Sequence, residues 1–136
     1  MRVLLDTNVL LAAVLTRSSC FELLEDCLRE HRVFSSLPLF DEFTGKLTSK
    51  FAFSGSETEN AAKTVFERIK LVVPRHVSLP ALKDKDDLVV IGSALAAECE
   101  ALVTGDKELL GLKKVMGLSI LSPSQFWLFE VKKDAP

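Results

Sequence analysis

Apolar residues recur along this chain in two alternating patterns. Five short runs are continuous or rich in β-branched residues: Arg2–Leu5, Val33–Ser36, Leu71–Val73, Ala101–Thr104 and Leu118–Leu121. Such runs suit strands covered on both faces. Helix-period stretches lie between them. Ser19-Cys-Phe-Glu22 has the spacing of a capping box. It predicts a helix to about His31, with Leu23, Leu24, Cys27 and Leu28 on the buried side. Pro38 suits the first turn of a helix continuing through Phe40, Phe43 and Leu47. In FSGSETE, residues 53–59, Ser56 and Glu59 predict a second capping box, opening a helix through Val65 and Ile69. DKDD precedes an apolar helix over Leu88–Cys99. Ser122-Pro-Ser-Gln125 supplies a cap, a first-turn proline and a glutamine at the third position, and opens a last helix through Phe126, Trp127 and Phe129.

Strands alternating with helices imply an α/β fold with a mostly parallel sheet and helices on both faces. No repeat, low-complexity tract or long linker interrupts the pattern, so residues 1–136 are expected to form one domain. Such a length buries roughly two-thirds of the unfolded chain's surface.

Composition narrows the chemistry. Apolar residues make up 48% and charged residues 26%, an ordinary globular balance. The net charge of −2 gives no molecule-wide attraction for nucleic acid, so any polyanion contact needs a local basic patch. Cys20, Cys27 and Cys99 lack metal-type spacing and are odd in number, as expected of free thiols in a reducing compartment. No secretory leader pattern and no stretch of ~20 apolar residues is present, so a soluble cytoplasmic protein without membrane contact is expected.

The stretch RVLLDTNVLL places a carboxylate inside an apolar run. Ligands of open parallel sheets bind beyond the carboxyl ends of the strands. Asp6 follows the first strand directly, with Thr7 and Asn8 behind it. After ALVT come Gly105, suited to a tight turn, and Asp106. Asp87 begins the Leu88–Cys99 helix and shares a face with Val90, Ile91 and Ala94, so it should point toward the sheet. Asp84 and Asp86 belong to the approach loop, toward solvent. Glu42 lies near the start of the helix after the second strand, its direction open.

Each acid has an ordinary structural use. Asp6 can cap a helix, Asp87 can serve a helix dipole, and Glu42 with Lys46 has the spacing of an exposed ion pair. Convergence would be different. Two like charges about 4 Å apart cost roughly 4 kcal/mol at an effective dielectric of about 20. Such a cluster needs protons or cations. An all-oxygen donor set suits Mg²⁺ or Mn²⁺ rather than zinc. His31, at a helix end, reads as a dipole partner, and His76 as a loop residue.

These segments resemble the PIN-domain family of metal-dependent ribonucleases, and within it the VapC-type toxin components. VLLDTNVLLAAVL looks like the family's opening strand–Asp-Thr-Asn–helix signature, and SSLPLFDEFTGKL is similar to its second segment. DKDDLVVIGSALAAECEALVTGDKELL resembles the third and fourth segments together, and ILSPSQFW the final strand and helix. The resemblance implies a three-layer α/β/α sandwich with a mostly parallel five-stranded sheet, strands one and four adjacent. It implies a catalytic set of Asp6, Glu42, Asp87 and Asp106, with Asp6, Asp87 and Asp106 as metal ligands. Asn8 and Thr104 would support the site by hydrogen bonds. Asp87 is preferred to Asp86 because Ala94 and Leu95 then fall in the family's helix register, and Glu42 is preferred to Asp41 by the same matching. Glu108, where relatives often carry Asp, stays outside the ligand set.

The implied activity is RNA phosphodiester hydrolysis with Mg²⁺ or Mn²⁺. Lys46, Lys50, Lys83, Lys85 and Lys107 flank the acids and are candidate phosphate contacts. An antitoxin partner and a homodimer or larger homo-oligomer are the implied assemblies. Two alternatives stay open: a non-catalytic RNA-binding or complex-forming PIN domain, and a phosphohydrolase of the haloacid-dehalogenase kind. The latter's Asp-x-Asp step is Asp6-Thr7-Asn8 here and lacks the second Asp.

Overall fold

β1 (Arg2–Leu5) is the central strand of the sheet, and its neighbours are set by hydrophobic alternation. The computed structural model describes residues 1–134. After β1 come α1 (Thr7–Leu15), α2 (Ser19–Glu30), β2 (Arg32–Ser36), α3 (Leu37–Ser49), α4 (Gly55–Phe66) and β3 (Ile69–Val72). The second half contains α5 (Lys85–Ala96), β4 (Ala101–Val103), α6 (Lys107–Leu112), β5 (Lys114–Val115), β6 (Leu118–Leu121) and α7 (Pro123–Asp134).

The strand order is β3-β2-β1-β4-β6-β5. β1 pairs in parallel with β2 on one side and β4 on the other, so the order reverses at β1. Strands one and four are adjacent, as expected. Val3 and Leu5 face one side, packing with α1, α2 and α3 residues such as Leu10, Leu23 and Phe43. Leu4, one step out of phase, faces the other side with Phe34, Leu102 and the α5 residues Val90, Ile91 and Ala94. Two apolar layers therefore sandwich the sheet, which explains why β1 reads as a continuous apolar run.

The sheet has six strands rather than five. The added strand, β5, pairs antiparallel with β6 through Lys114↔Ser119 and Val115↔Leu118. Met116 (φ 49°) and Gly117 (φ 87°) form the two-residue connection. Both central residues at positive φ make a tight hairpin. The usual signal is Asn-Gly or Asp-Gly, and a methionine in the first place hides it.

Other boundaries move for local reasons. β3 starts at Ile69, which pairs with Val33 and is buried, whereas periodicity assigns Ile69 to the preceding helix. Ser18, not Ser19, caps α2, accepting from the Cys20 amide, so the Ser19–Glu22 box does not form. The α4 capping box uses Ser54 and Glu57 instead of Ser56 and Glu59. The two candidate boxes are two residues apart, and the earlier one lets Ala62 and Val65 face the core. α5 begins at Lys85, three residues before the expected start, because Asp84 caps it. The Ser122–Gln125 box forms with both reciprocal bonds.

No single helix is long and apolar enough to cross a membrane.

Candidate functional site

α1, α3 and α6 start just past the carboxyl ends of β1, β2 and β4, and the acids stand at these starts and at the start of α5. Asp6 caps α1, its Oδ1 accepting from the Thr7 amide at 2.8 Å. Its own amide donates to the Val103 carbonyl at 2.9 Å, which locks the turn to β4. Asp106 caps α6 through Oδ1, which accepts from the Glu108 amide at 2.8 Å and the Leu109 amide at 3.2 Å. Asp87 lies in the first turn of α5 and is buried. Asp84 is the cap of that helix, accepting from the Asp86 amide at 2.8 Å. It is a capping residue, although exposed as expected.

The support around Asp6 is specific. Thr104 is fully buried, and its hydroxyl donates to Asp6 Oδ2 at 2.7 Å. Asn8 Nδ2 donates to the same oxygen at 3.4 Å. The Gly105 amide donates to Asn8 Oδ1 at 3.2 Å, and the Asp106 amide to Thr104 Oγ1 at 3.0 Å. Asn8 and Thr104 thus link the two acid-bearing turns. Gly105 is not in the left-handed region, and a Cβ there would meet Asn8 at an ordinary 3.8 Å. The turn therefore does not require glycine for its backbone. Thr7 keeps a buried hydroxyl without a hydrogen-bond partner among the described residues.

Electrostatics tie the acids together. Burial raises the Asp6 carboxyl above its ordinary range. Hydrogen bonds from Thr104 and Thr7 pull it back, while Glu42 and Asp106 push it up. Burial also raises Asp87, to about 6, with further pushes from Asp106, Asp84, Asp6 and Glu108. No cation is among the groups acting on either acid. Asp6, Glu42, Asp87 and Asp106 therefore share one field, to which Asp84 and Glu108 also contribute. These last two are the residues that sequence reasoning leaves aside. The DKDD cap and the Asp106–Glu108 spacing on one helical turn are the signals that could have drawn them in.

Glu42 is the least committed member. It lies in the middle of α3, and one carboxylate oxygen is 3.9 Å from Lys46 Nζ. Lys50 caps the end of α3, with its ammonium 5.7 Å from the Phe51 ring centre. Lys83 precedes α5, while Lys85 and Lys107 open α5 and α6. All but the half-buried Lys46 are exposed. A cation in a first helical turn opposes the helix dipole, so Lys85 and Lys107 are not there to stabilise their helices.

His31 is more than a dipole partner. Its ring is 3% exposed and bonded to Glu130. Asp26, His31 and Glu130 have donor atoms within 4.8 Å of one another, at the sheet edge away from Asp6.

The family profile described as PIN domain matches residues 2–108. The chain belongs to the PIN-domain family. That span includes all four acids of the predicted set. A chain from the crystal structure of VapBC2 from Rickettsia felis, bound to a DNA fragment from their promoter, has a similar fold. The two share 17% identity at a TM-score of 0.64, covering 88% of this chain and 97% of that one. No curated protein sequence matches the chain. For a PIN domain, the order reversal at β1 is where a ligand would meet Asp6 and Asp106 together.

Among the described residues, Asp6, Asp87 and Asp106 do not bring ligand atoms within 4.8 Å of one another, so it is the chemistry of their donors, all oxygen, that suits a hard divalent cation. Asp6 and Asp87 are raised first by burial and then by neighbouring acids; hydrogen bonds partly offset this at Asp6, and no cation does so at either. Family membership also removes the ground for the haloacid-dehalogenase alternative, which already lacked its second Asp.

Proposed function

We propose that this PIN-domain protein is a metal-dependent ribonuclease that hydrolyses RNA phosphodiesters, the toxin member of a toxin–antitoxin pair. The observation carrying the reading is the burial of Asp6 and Asp87 at helix starts, where each is raised first by burial and then by neighbouring acids including Asp106, with no cation acting on them. Asp6, Asp87 and Asp106 would hold Mg²⁺ or Mn²⁺. When bound, such an ion supplies positive charge for the attacked phosphate and acidifies the attacking water.

The chain's own residues divide the remaining work. The Thr104 hydroxyl favours the ionised form of Asp6, and Thr104 and Asn8 together fix its direction. Glu42, on the neighbouring helix, orients the water or accepts its proton. Its 3.9 Å contact with Lys46 is loose enough to exchange for water. Lys85 and Lys107, placed against their helix dipoles, bind RNA phosphates on either side of the acidic hole. Lys46, Lys50 and Lys83 extend that rim.

An antitoxin partner is supported by the resemblance to VapC-type toxins and by the VapBC2 neighbour. A groove of about 750 Å³ lies among α1, α2 and α4, lined by Val14, Leu24, Leu28 and Val65 and edged by Arg17, Arg29 and Arg68 with one acid, Glu25. That lining suits an apolar protein segment carrying acidic residues. Self-association into a homodimer or larger assembly, and a single domain over residues 1–136, complete the proposal.

The test is a cleavage assay on mixed RNAs with and without Mg²⁺ or Mn²⁺, using Asp6→Asn as control. Metal-dependent cleavage lost in the variant supports the reading. RNA binding without cleavage under any metal selects the non-catalytic PIN alternative.

A further inference from the structure

Asp26 on α2, His31 at the end of α2 and Glu130 on α7 meet at the amino edge of the sheet, opposite the turn that carries Asp6. Their side chains are 15%, 3% and 14% exposed. His31 Nε2 is 2.5 Å from Glu130 Oε2, and the Met1 amine is 3.2 Å from His31 Nδ1. An ammonium has only hydrogens to offer, so Nδ1 accepts. The ring then carries a hydrogen on Nε2, which it donates to Glu130. That arrangement closes the ring nitrogen to a metal ion. Asp26 Oδ1 accepts from Arg29 at 3.3 Å, but Oδ2 is buried with no hydrogen-bond partner among the described residues. Arg29 is 64% exposed and also bonded to Glu30, so solvent screens much of its charge. The cluster holds two neighbouring carboxyl groups and one empty acceptor position, a vacancy that a shared proton fills.

We propose that Asp26 and Glu130 share a proton and act as a pH-sensitive latch holding the far end of α7 onto α2. The near end of α7 is fixed separately by the Ser122–Gln125 box. The Asp26 carboxyl is raised to about 6, first by burial and then by Glu130, with His31 and Arg29 pulling the other way. Its proton is therefore held more firmly when α7 is docked. Docking is tightest below about pH 4, loosens as pH rises from there to about 6, and is weakest above it. The surroundings add few other charges. α1, packed on α2, has no titratable side chain. The Arg32 guanidinium of β2 lies over the Phe34 ring. The Cys27 thiol is pushed up by burial and stays protonated. On α7, Lys132 and Asp134 are exposed, and Lys133 pairs with Glu100 at 3.4 Å. This inference stands independently of the nuclease reading.

Trp127 is the chain's single tryptophan, and it sits on α7 against the core. Its emission in the metal-free full chain, titrated from about pH 3.5 to 8, reads the latch directly. The expected result is a red shift as pH rises through the window from about 4 to 6, and a flat emission above it. Asp26→Asn, whose amide supplies a permanent donor, should hold the low-pH emission throughout. Glu130→Gln should likewise remove the transition, which protects the test should one variant misfold. Asp87→Asn, altering the distant acid with a similar value, should keep it. A flat wild-type titration, or a transition surviving in folded Asp26→Asn, overturns the proposal. So does stoichiometric Zn²⁺ binding at neutral pH that His31→Ala abolishes, since the cluster would then be a metal site.

Discussion

Thr104 donates its hydroxyl hydrogen to Asp6 Oδ2 across 2.7 Å, joining residues 98 positions apart in the chain. The bond crosses from the end of β4 to the end of β1, and the same hydroxyl oxygen accepts from the Asp106 amide. One threonine therefore fixes the relative placement of two acids. Thr104→Val keeps the shape and removes both interactions. Hydrogen bonds to charged groups contribute about 1.5–3 kcal/mol. RNA cleavage should fall roughly 10- to 100-fold, at near-normal folding, by the conversion of about 1.4 kcal/mol per factor of ten. The Asp6 carboxyl should also move further up, because the lost bond is one that lowers it. Cleavage rate against pH in the two proteins checks both points.

Asp87→Asn should abolish cleavage yet stabilise the metal-free protein. At neutral pH the folded state holds Asp87 ionised beside Asp106, Asp84, Asp6 and Glu108. The unfolded chain has no such neighbours. Removing the charge relieves the folded state alone. A gain of about 1 kcal/mol corresponds to a rise in melting temperature of roughly 3–6 °C for a domain this size. Loss of cleavage together with a lower melting temperature would mean that the substitution had damaged the fold.

Acidification should stabilise the metal-free protein. Asp6, Asp26 and Asp87 all have folded values raised above 3.8, the last two to about 6. The folded state therefore binds more protons than the unfolded one between about pH 4 and 6, and stability falls as pH rises through that window. Saturating Mg²⁺ at pH 7.5 should restore stability by mass action, about 2.7 kcal/mol at a hundredfold excess over the dissociation constant. Thermal melts across pH, with and without Mg²⁺, measure this. Asp87→Asn should lose most of the Mg²⁺ response.

The sheet was legible in sequence wherever a strand is covered on both faces. Arg2–Leu5, Leu118–Leu121 and most of the second and fourth strands were readable for that reason. β3 and β5 were harder because each is an edge. β3 exposes Lys70 and Leu71, and β5 is two residues held by a Met-Gly turn. Helix starts slipped where capping signals overlap, as with Ser54 and Ser56, since burial two turns later decides between them. Asp6 and Asp106 were read from strand ends, Asp87 from a helix face, and Glu42 from the family resemblance. Asp26, His31 and Glu130 could not be found that way. Their meeting depends on α7 running back to the amino edge, which no local spacing encodes.

Gly92 presents two opposing effects whose sizes can be compared. It lies inside α5, where alanine would ordinarily gain about 1 kcal/mol. Here a Cβ would stand 2.2 Å from the Arg75 carbonyl oxygen. The segment after β3 crosses the helix at that point, with the Arg75 amide donating to the Gly92 carbonyl at 3.0 Å. Overpacking against backbone costs about 1–3 kcal/mol, so the clash should win. Gly92→Ala should lower the urea midpoint and increase proteolysis within residues 73–83, which the crossing pins. An unchanged midpoint would mean that the crossing segment shifts freely.

The lysines allow the RNA-binding proposal to be tested apart from chemistry. Lys85 and Lys107 are exposed at helix starts that disfavour cations, while Lys50 ends a helix where a cation is welcome. Only the first two lack a structural reason for their charge. Binding of single-stranded RNA to the cleavage-dead Asp6→Asn protein should weaken as salt rises, with a slope of about −0.7 per phosphate neutralised. Lys85→Gln and Lys107→Gln should each flatten that slope by about 0.7 and leave the melting temperature unchanged or slightly higher. Lys50→Gln should change the slope little and lower the melting temperature slightly. If all three lysines moved the slope equally, RNA would be tracking general surface charge, and the assignment of Lys85 and Lys107 to the rim of the site would have to be given up.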